Sequence, residues 1–375
     1  MQLHILGTRG VPAKHGGFET FAEQFALYMV SRGHEVTVYC QNGHEEAPFR
    51  DVWEGIHRVA FSEPDTPKGT IRFDFRSALT ASRQPGATLL TLGYNTAVFS
   101  LLHRFRHDRH FMNMDGIEWR RQKWSLPQRL WLRANEWCGA HWANQLIADH
   151  PVIKAHLTNL VSPEKITVIP YGADAVTHAD PTLLESFGLT PHEYYIVIAR
   201  PEPENSILEM VEAYKQRERR FPLVMLGNYK PGENEYHAKV LAAAAGSRIL
   251  FPGAIYDAAV VTSLRFFATA YLHGHQVGGT NPSLVEALAA ANAVIAHKNP
   301  FNEWVAGKSA RYFSDQEELH QHFDQLEADP SLFVAMRAGS KARHALCFRR
   351  ELILEAYEQL LLGTPMPVEQ WNLTS

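Results

Sequence analysis

The sequence predicts an α/β protein of two domains of similar size, joined by a short linker and sharing a central ligand cleft. Three observations carry that prediction. A strand, a glycine-containing loop, a helix and a second strand open the chain between Leu3 and Cys40. A second α/β series starts at Tyr194, after a stretch punctuated by Pro170 and Gly172. Within that series, Gly278 to Glu303 forms a glycine-rich turn, a helix and a short buried strand. Two such domains joined by a linker place a cleft between them. The boundaries fall at residues 1–170 and 171–345, with a helical tail over 346–375.

Composition narrows the function. A chain of 375 residues has room for two cores, and 45% hydrophobic with 20% charged residues is a globular balance. A formal net charge of -4 argues against a general nucleic-acid binder, so any basic surface is local. No apolar run is long enough to cross a bilayer. The opening Met1-Gln2-Leu3-His4-Ile5-Leu6 reads as a first strand, because it lacks the basic start and apolar core of a leader. Cys40, Cys138 and Cys347 stand far apart with no C-x-x-C pair. They point away from a disulfide framework or zinc site and toward a reducing cytosol.

Taken in order, Leu3–Leu6 is a strand, and Gly7 to Thr20 is a long loop that brings Gly16 and Gly17 to a helix start. Phe21, Phe25, Ala26 and Met29 give that helix an apolar face, and it ends near Gly33. The loop matches neither the dinucleotide fingerprint nor the P-loop. It suits a segment that closes over a ligand, or a glycine pair needed only for the backbone. Further strands are expected at Glu35–Cys40, Ile56–Phe61, Ala87–Leu92, Phe111–Met114 and Leu146–Ala148.

Residues 103–133 hold eight Lys/Arg against three acidic residues, with Trp119, Trp124, Leu126, Leu130, Trp131 and Leu132 interleaved. Such a mixture suits the interface of an anionic membrane, or a helix with an aromatic inner face and a solvated basic outer one. Ile166 to Asp174 reads as the end of domain one and the linker. In the second domain, strands are expected at Tyr194–Ala199, Leu223–Leu226, Arg248–Phe251, Ala268–Leu272, Ala293–Ala296 and Arg311–Phe313. A helix is expected from about Ile207 to Gln216, and an amphipathic helix from Leu346 to Leu362 that packs back on domain one.

Chemistry concentrates at 278–303. Gly278-Gly279-Thr280 is a flexible turn, and Asn281-Pro282-Ser283 is a helix start with capping oxygens and an early proline. The N–H groups of that turn and helix start favour an anion such as a diphosphate. Glu286 falls one turn inside the helix, where its carboxylate can accept from sugar hydroxyls. His273 and His275 raise a metal reading, but no ligand cluster accompanies them among 20 histidines, so no metal and no cofactor are expected.

Together these segments resemble glycosyltransferase family 4, the retaining enzymes of the GT-B fold: two Rossmann-like domains facing each other across a central cleft. The resemblance rests on G-T-R-G-V-P-A-K-H-G-G-F-E-T (Gly7–Thr20), N-M-D-G-I-E-W-R-R-Q-K-W (Asn113–Trp124), I-P-Y-G-A-D (Ile169–Asp174), A-R-P-E-P-E-N (Ala199–Asn205) and G-G-T-N-P-S-L-V-E-A (Gly278–Ala287). The opening segment is similar to a subgroup containing many bacterial rhamnosyltransferases of surface polysaccharides.

The resemblance implies that the second domain holds a nucleotide-sugar and the first faces the acceptor. It assigns the donor to Gly16, Gly17, Arg200, Asn205, His275, Gly279, Thr280, Asn281 and Glu286. It assigns catalysis to Asp115, Arg200 and Glu286, and the acceptor to Asp115 with Glu118. Asp115 lies where the family often carries a histidine, and is otherwise a loop cap. Two departures stand out. Asn205 replaces an expected Lys, and Gly278 replaces the first of two glutamates eight positions apart, leaving His275 and Gln276 to supply polar contacts. The implied donor is dTDP-rhamnose and the acceptor a polyprenyl-linked saccharide at the cytoplasmic face of the membrane. The alternatives are a UDP-hexose donor, a nucleotide-sugar epimerase of the same fold, and a non-catalytic nucleotide-sugar-binding partner.

Overall fold

A computed structural model describes residues 1–14, 16–43, 47–105, 109–121, 123–364 and 371. The chain divides into two compact units. The first is Met1–Pro170 with the C-terminal helix from Leu354 onward, and the second is Tyr171–Ile353.

The first unit contains eight strands: β1 (Gln2–Leu6), β2 (Glu35–Asn42), β3 (Arg50–Trp53), β4 (Ile56–Ser62), β5 (Thr88–Leu92), β6 (Arg109–Asn113), β7 (Gln145–Ala148) and β8 (Ile166–Val168). They form one sheet in the order β3-β4-β2-β1-β5-β6-β7-β8. Every pairing is parallel except β3 with β4. β1 and β2 are near-continuous buried runs, as strands covered on both faces must be. Its helices are α1 (Gly17–Ser31), α2 (Pro67–Ala81), α3 (Leu101–Arg104), α4 (Leu126–Trp142) and α5 (Pro151–Leu157).

The second unit has six strands: β9 (Tyr195–Ile198), β10 (Leu223–Leu226), β11 (Ile249–Gly253), β12 (Ala270–His273), β13 (Ala293–His297) and β14 (Arg311–Phe313). Their order, β11-β10-β9-β12-β13-β14, is that of a doubly wound nucleotide-binding sheet. Helices α6 (Ile207–Lys215), α7 (Glu235–Ala244), α8 (Ala258–Phe266), α9 (Pro282–Ala289), α10 (Pro300–Ala306), α11 (Gln316–Ala328) and α12 (Ser331–Cys347) complete it, and α13 (Arg350–Leu362) follows. One core cluster joins Val197 of β9, Met210 of α6, Leu223 and Met225 of β10, and Phe323 of α11.

In both sheets the strand order reverses once, between β1 and β5 and between β9 and β12. Loops leaving the carboxyl ends of the strands diverge at such a point and leave a crevice.

Ile166–Val168 closes the first sheet at the end of domain one, with Ile166 and Val168 buried against β7. Two expectations are corrected. The strand Arg50–Trp53 is additional to those expected. It is largely exposed, and it pairs through a two-residue turn in which Glu54 and Gly55 both have positive φ. The helix expected from Leu346 to Leu362 is instead the end of α12 followed by α13. Phe348 is fully buried, and its carbonyl accepts from the Ala173 amide at 2.9 Å. That bridge to residue 173 takes the backbone out of the helical path.

From Leu354 onward α13 packs within the first unit. Tyr357 packs against Phe21 and Phe25 and receives a hydrogen bond from Asn113 Nδ2 at 2.8 Å. Glu358 accepts from Tyr28 at 2.7 Å and pairs with Arg32.

Candidate functional site

In the second unit, the crevice is bounded by the loop after β9 and the loop after β12. Each is built by side chains that bond to backbone. Asn205 is buried: its Nδ2 donates to the Arg200 carbonyl at 2.8 Å, and its Oδ1 faces His275 Nδ1 in a very short contact. Ser206 Oγ donates to the Gly274 carbonyl at 2.8 Å, and Gln276 Nε2 donates to Ser206 Oγ at 2.9 Å. The loops approach so closely that a Cβ on Gly274 would collide with the Asn205 carbonyl. Asn205 therefore ties the two loops together through both ends of its amide.

Arg200 ends this scaffold. It is exposed, and its guanidinium pairs with no carboxylate among the described residues. It is free to take an anion.

The start of α9 forms as its sequence dictates. Asn281 Oδ1 accepts from the Ser283 amide at 3.0 Å, and Pro282 opens the helix. Ser283 Oγ contacts Tyr271 OH at 2.7 Å and donates to the Ile198 carbonyl at 3.2 Å. These contacts hold the helix start against the end of β9, two residues before Arg200. Thr280 is buried behind the turn.

Glu286 lies one turn inside α9, with its side chain about one-third exposed. Its Oε2 accepts from Arg265 Nη2 at 2.7 Å, and the Arg265 side chain is only 8% exposed. Tyr171, from the Ile169–Asp174 segment, is nearby: burial, with the Glu286 charge adding to it, pushes its phenol up to about 12. Glu286 therefore neutralises a buried arginine as well as facing outward. Arg265 carried no sequence signal, since an arginine on a helix reads as a solvated face.

Gly278, where the first glutamate was expected, has a φ of +125°, open to glycine and costly for other residues. A Cβ there would lie 3.1 Å from His275 Nε2. His275 thus occupies the space beside Gly278. Its carbonyl accepts from Asn299 Nδ2 at 3.0 Å and Asn302 Nδ2 at 2.8 Å, which fixes its backbone. His273 is buried and held neutral, its pKa driven well down by burial and then by His275 and His297. Among the described residues, no three His, Cys, Asp or Glu side chains converge as a metal ion would require.

The first unit holds the remaining expected residues. Gly16 caps α1 with a φ of +50°. A Cβ on it would meet Glu19 Oε2 at 2.8 Å, and Glu19 Oε1 accepts from the Arg9 amide at 3.1 Å. Glu23 accepts from the Ala13 amide. The loop is thus pinned by two glutamates of its own helix. An anion at Gly16 and Gly17 would meet the Glu19 carboxylate, which argues against these glycines holding a diphosphate in this conformation.

Asp115 follows β6 with a φ of +51°, a conformation rare for anything but Gly, Asn and Asp. Its amide donates to Asn113 Oδ1 at 2.8 Å. Burial, reinforced by the Glu118 charge, raises its carboxyl to about 6. Glu118 is engaged elsewhere: Oε1 accepts from Arg121 at 2.9 Å and Oε2 from Trp124 Nε1 at 3.4 Å. It orients Trp124 rather than offering a free carboxylate.

At the crevice between β1 and β5 is a cavity of about 740 Å³, lined by Gly7 and Thr8 after β1 and by Leu92 and Gly93 at the end of β5. Neither Asp115 nor Glu118 lines it.

The structure thus brings Arg200, Asn205 and His275 into one bonded cluster next to the start of α9 with Glu286, all in the second unit. Gly16, Gly17, Asp115 and Glu118 lie on separate loops of the first.

Comparison with known proteins agrees with this architecture. Residues 15–176 match the model of Glycosyltransferase Family 4. No curated protein matches the chain in sequence. Among solved structures, sucrose-phosphate synthase from Thermosynechococcus elongatus superposes with a TM-score of 0.80 at 16% identity, covering 97% of this chain and 100% of that one. Alr3699/HepE of Anabaena, solved with UDP, gives 0.74 at 15% identity, over 96% of this chain and 99% of that one. A UDP-forming α,α-trehalose-phosphate synthase from Burkholderia vietnamiensis gives 0.71 at 9%, over 97% and 100%. At such identities the likeness speaks for fold, and the fold is GT-B: two Rossmann-like units. The family match and the fold together support a glycosyltransferase.

One prediction arises from the Arg265 pair. Glu286→Gln keeps a hydrogen-bond acceptor for Arg265 but loses its counter-charge, so it should lower the thermal midpoint less than Glu286→Ala does, and it should weaken nucleotide-sugar binding about tenfold or more. Glu286→Ala should also destabilise the fold by about 1–3 kcal/mol, because a buried guanidinium loses its partner. Parental donor affinity in Glu286→Gln, by calorimetry, would leave Glu286 only as the counter-ion of Arg265.

Proposed function

We propose that the chain is a retaining, metal-independent glycosyltransferase. It takes a sugar from a nucleoside-diphosphate donor held by the second unit and passes it to a saccharide acceptor held by the first. The observation that carries the reading is the unpaired Arg200 at the end of β9, tied through Ile198 and Ser283 to the start of α9. A cation and a helix start at a switch point form a diphosphate site, and Glu286 one turn further is positioned for ribose hydroxyls.

The chemistry follows from charge. As the glycosidic bond lengthens, negative charge grows on the leaving diphosphate, and Arg200 and the N–H groups before α9 stabilise it. In a retaining transfer a donor phosphate oxygen takes the acceptor proton, so no strong protein base is needed. Asp115 bears on the positive charge developing at the anomeric carbon or on the acceptor hydroxyl.

The donor we favour is dTDP-rhamnose, on the resemblance of the Gly7–Thr20 loop to rhamnosyltransferases. A UDP-hexose is the second reading, motivated by neighbours solved with UDP or described as UDP-forming. A panel of dTDP-rhamnose, UDP-glucose and UDP-galactose, scored by released nucleoside diphosphate with and without an acceptor, decides between them. Conversion of the donor to an epimeric nucleotide-sugar without acceptor would favour the epimerase alternative, donor binding with neither release nor conversion would favour the binding-partner alternative, and the product's anomeric configuration tests retention.

We also propose an anionic membrane as the surface that presents the acceptor. Among the described residues no helix is long and apolar enough to cross a membrane. On α4, however, Leu126, Leu130 and Trp137 are 69%, 60% and 48% exposed. Their spacing of four and seven residues puts them along one side of the helix, with Arg129 and Arg133 beside them. Trp119, one of the interleaved tryptophans, is occupied within the protein: its indole donates to Glu136 at 3.1 Å, and Arg120 and Arg133 lie over its ring. Replacing Leu126 and Leu130 by Asp should abolish sedimentation with phosphatidylglycerol vesicles, and salt should weaken parental binding, since each basic residue contributes about 1 kcal/mol at such a surface. No parental binding at low salt would return α4 to an ordinary helix with a solvated face.

A further inference from the structure

The cavity of the first unit is asymmetric. One wall is apolar and aromatic, made by Ile71, Trp124, Trp131 and Leu132. Trp131 is fixed by its indole N–H, which donates to the Asn95 carbonyl at 2.9 Å, and Trp124 by Glu118. Ile71 and Trp131 are also exposed, at 37% and 43%, and Leu130 precedes Trp131 on α4 at 60%. An apolar track therefore runs from inside the cavity to the protein surface.

Asp74 lines the cavity from α2, one turn after Ile71 on the same helix. Its Oδ2 accepts from Thr96 Oγ1 at 2.8 Å, and its other oxygen has no hydrogen bond among the described residues. Beneath it is a small void of about 20 Å³ shared by Asp74, Ser77, Thr96 and His103. Ser77 Oγ and His103 Nδ1 are buried there without hydrogen-bond partners. The void can hold about one water, which would extend the polar floor under the carboxylate. Burial raises the Asp74 carboxyl to about 6. Most of the lining surface is apolar, although Arg9, Glu19 and Asp65 also border the cavity, and a carboxylate with a spare oxygen is costly to bury there unless a ligand donates to it. Asp74 had no sequence signal, since Phe73-Asp74-Phe75 on a helix reads as one solvated charge between two aromatics.

We propose that this cavity takes a saccharide bearing an apolar aglycone, with a sugar hydroxyl donating to Asp74 and the aglycone leaving along Trp124, Ile71 and Trp131. This rests on the transferase reading for its role as acceptor site. The geometry selects an amphiphile: a free sugar would leave the aromatic track uncovered, and a plain hydrocarbon would leave Asp74 without a donor. Aromatic faces also stack on the apolar face of a pyranose.

The test reads binding without donor, so it stands apart from the transferase reading. Tryptophan fluorescence of the full-length protein is titrated with n-octyl β-D-glucopyranoside below its micellar concentration, and separately with D-glucose. Saturable quenching by the octyl glucoside is expected, at least about tenfold tighter than by glucose. Asp74→Asn should weaken octyl glucoside about tenfold or more, the loss expected for a hydrogen bond to a charged acceptor. Trp131→Ala should bring the ratio of octyl glucoside to glucose affinity close to one. Far-UV circular dichroism and the thermal midpoint establish that each variant is folded. Equal affinity for both probes, or octyl glucoside binding unchanged by both substitutions, overturns the proposal. Failure of UDP and dTDP to bind the parent would instead remove the transferase role while leaving the cavity result standing.

Discussion

Asp115→Asn is expected to make the protein more stable at pH 7.5 and much slower in transfer. The stability gain has two sources. Asn tolerates the left-handed φ of +51° at this position at least as well as Asp. It also removes a charge that burial opposes, since the Asp115 carboxyl is raised from 3.8 to about 6. The direction with pH follows from proton binding. Below about pH 4 the group is protonated whether the chain is folded or not, so burial of the charge costs nothing. Between about pH 4 and 6 the unfolded chain ionises first, and stability is lost as pH rises. Above pH 6 the full cost applies, about 2–3 kcal/mol for a shift of this size. The Asn variant should therefore match the parent near pH 4 and exceed it above pH 6, by about 2–4 °C per kcal/mol. Transfer should fall about 100-fold, the usual loss of one preorganised electrostatic contact. An Asn variant that is no more stable at pH 8 would refute the burial argument. Parental transfer would make Asp115 a loop cap.

Arg200→Ala should produce the other large effect, in turnover. Arg200 is solvent-exposed and pairs with no carboxylate among the described residues, so its removal leaves no buried group stranded and the fold should survive. Charge on the leaving diphosphate grows toward the transition state, and an interaction that strengthens along that path lowers kcat more than it lowers ground-state affinity. Turnover should drop about 100- to 1000-fold, while nucleoside diphosphate affinity falls about tenfold. Arg200→Lys should recover part of the loss, because it keeps the charge but not the two-pronged fork. Equal losses in affinity and turnover would mean that Arg200 serves binding alone.

How much of this site is legible in the sequence depends on whether the signal is local. Asn281-Pro282-Ser283 announces a helix start because a cap and an early proline act within one turn, and the structure places that cap as expected. The same holds for the buried strands, whose apolar runs need no knowledge of their neighbours. Gly55 is the signal that could have revealed the hairpin Arg50–Ile56, since a glycine between two strand-like runs marks a turn.

Other residues read differently in the structure because their partners are distant in sequence. Asn205 has the place of a donor contact after β9. One end of its amide is held locally by the Arg200 carbonyl, and only the approach of the loop 70 residues later engages the other, at His275. Gly16 and Gly17 have the look of an anion cradle, but Glu19 and Glu23 fold back and take the loop's amides. Glu118 has the look of an acceptor ligand, and is spent on Arg121 and Trp124.

By itself the sequence determined the class of fold, most of the strands, and the cap and early proline that start α9, because each depends on periodicity, caps and glycines acting over a few residues. Tertiary structure alone decided which charges are buried and with whom. Arg265 becomes the partner of Glu286 only when α8 and α9 lie side by side. Asp74 becomes a cavity carboxylate only when α2, the β5 loop and α4 converge. The reason is dielectric: a charge costs little anywhere on an open chain, and its environment, partner and proton affinity exist only after distant segments have excluded water around it.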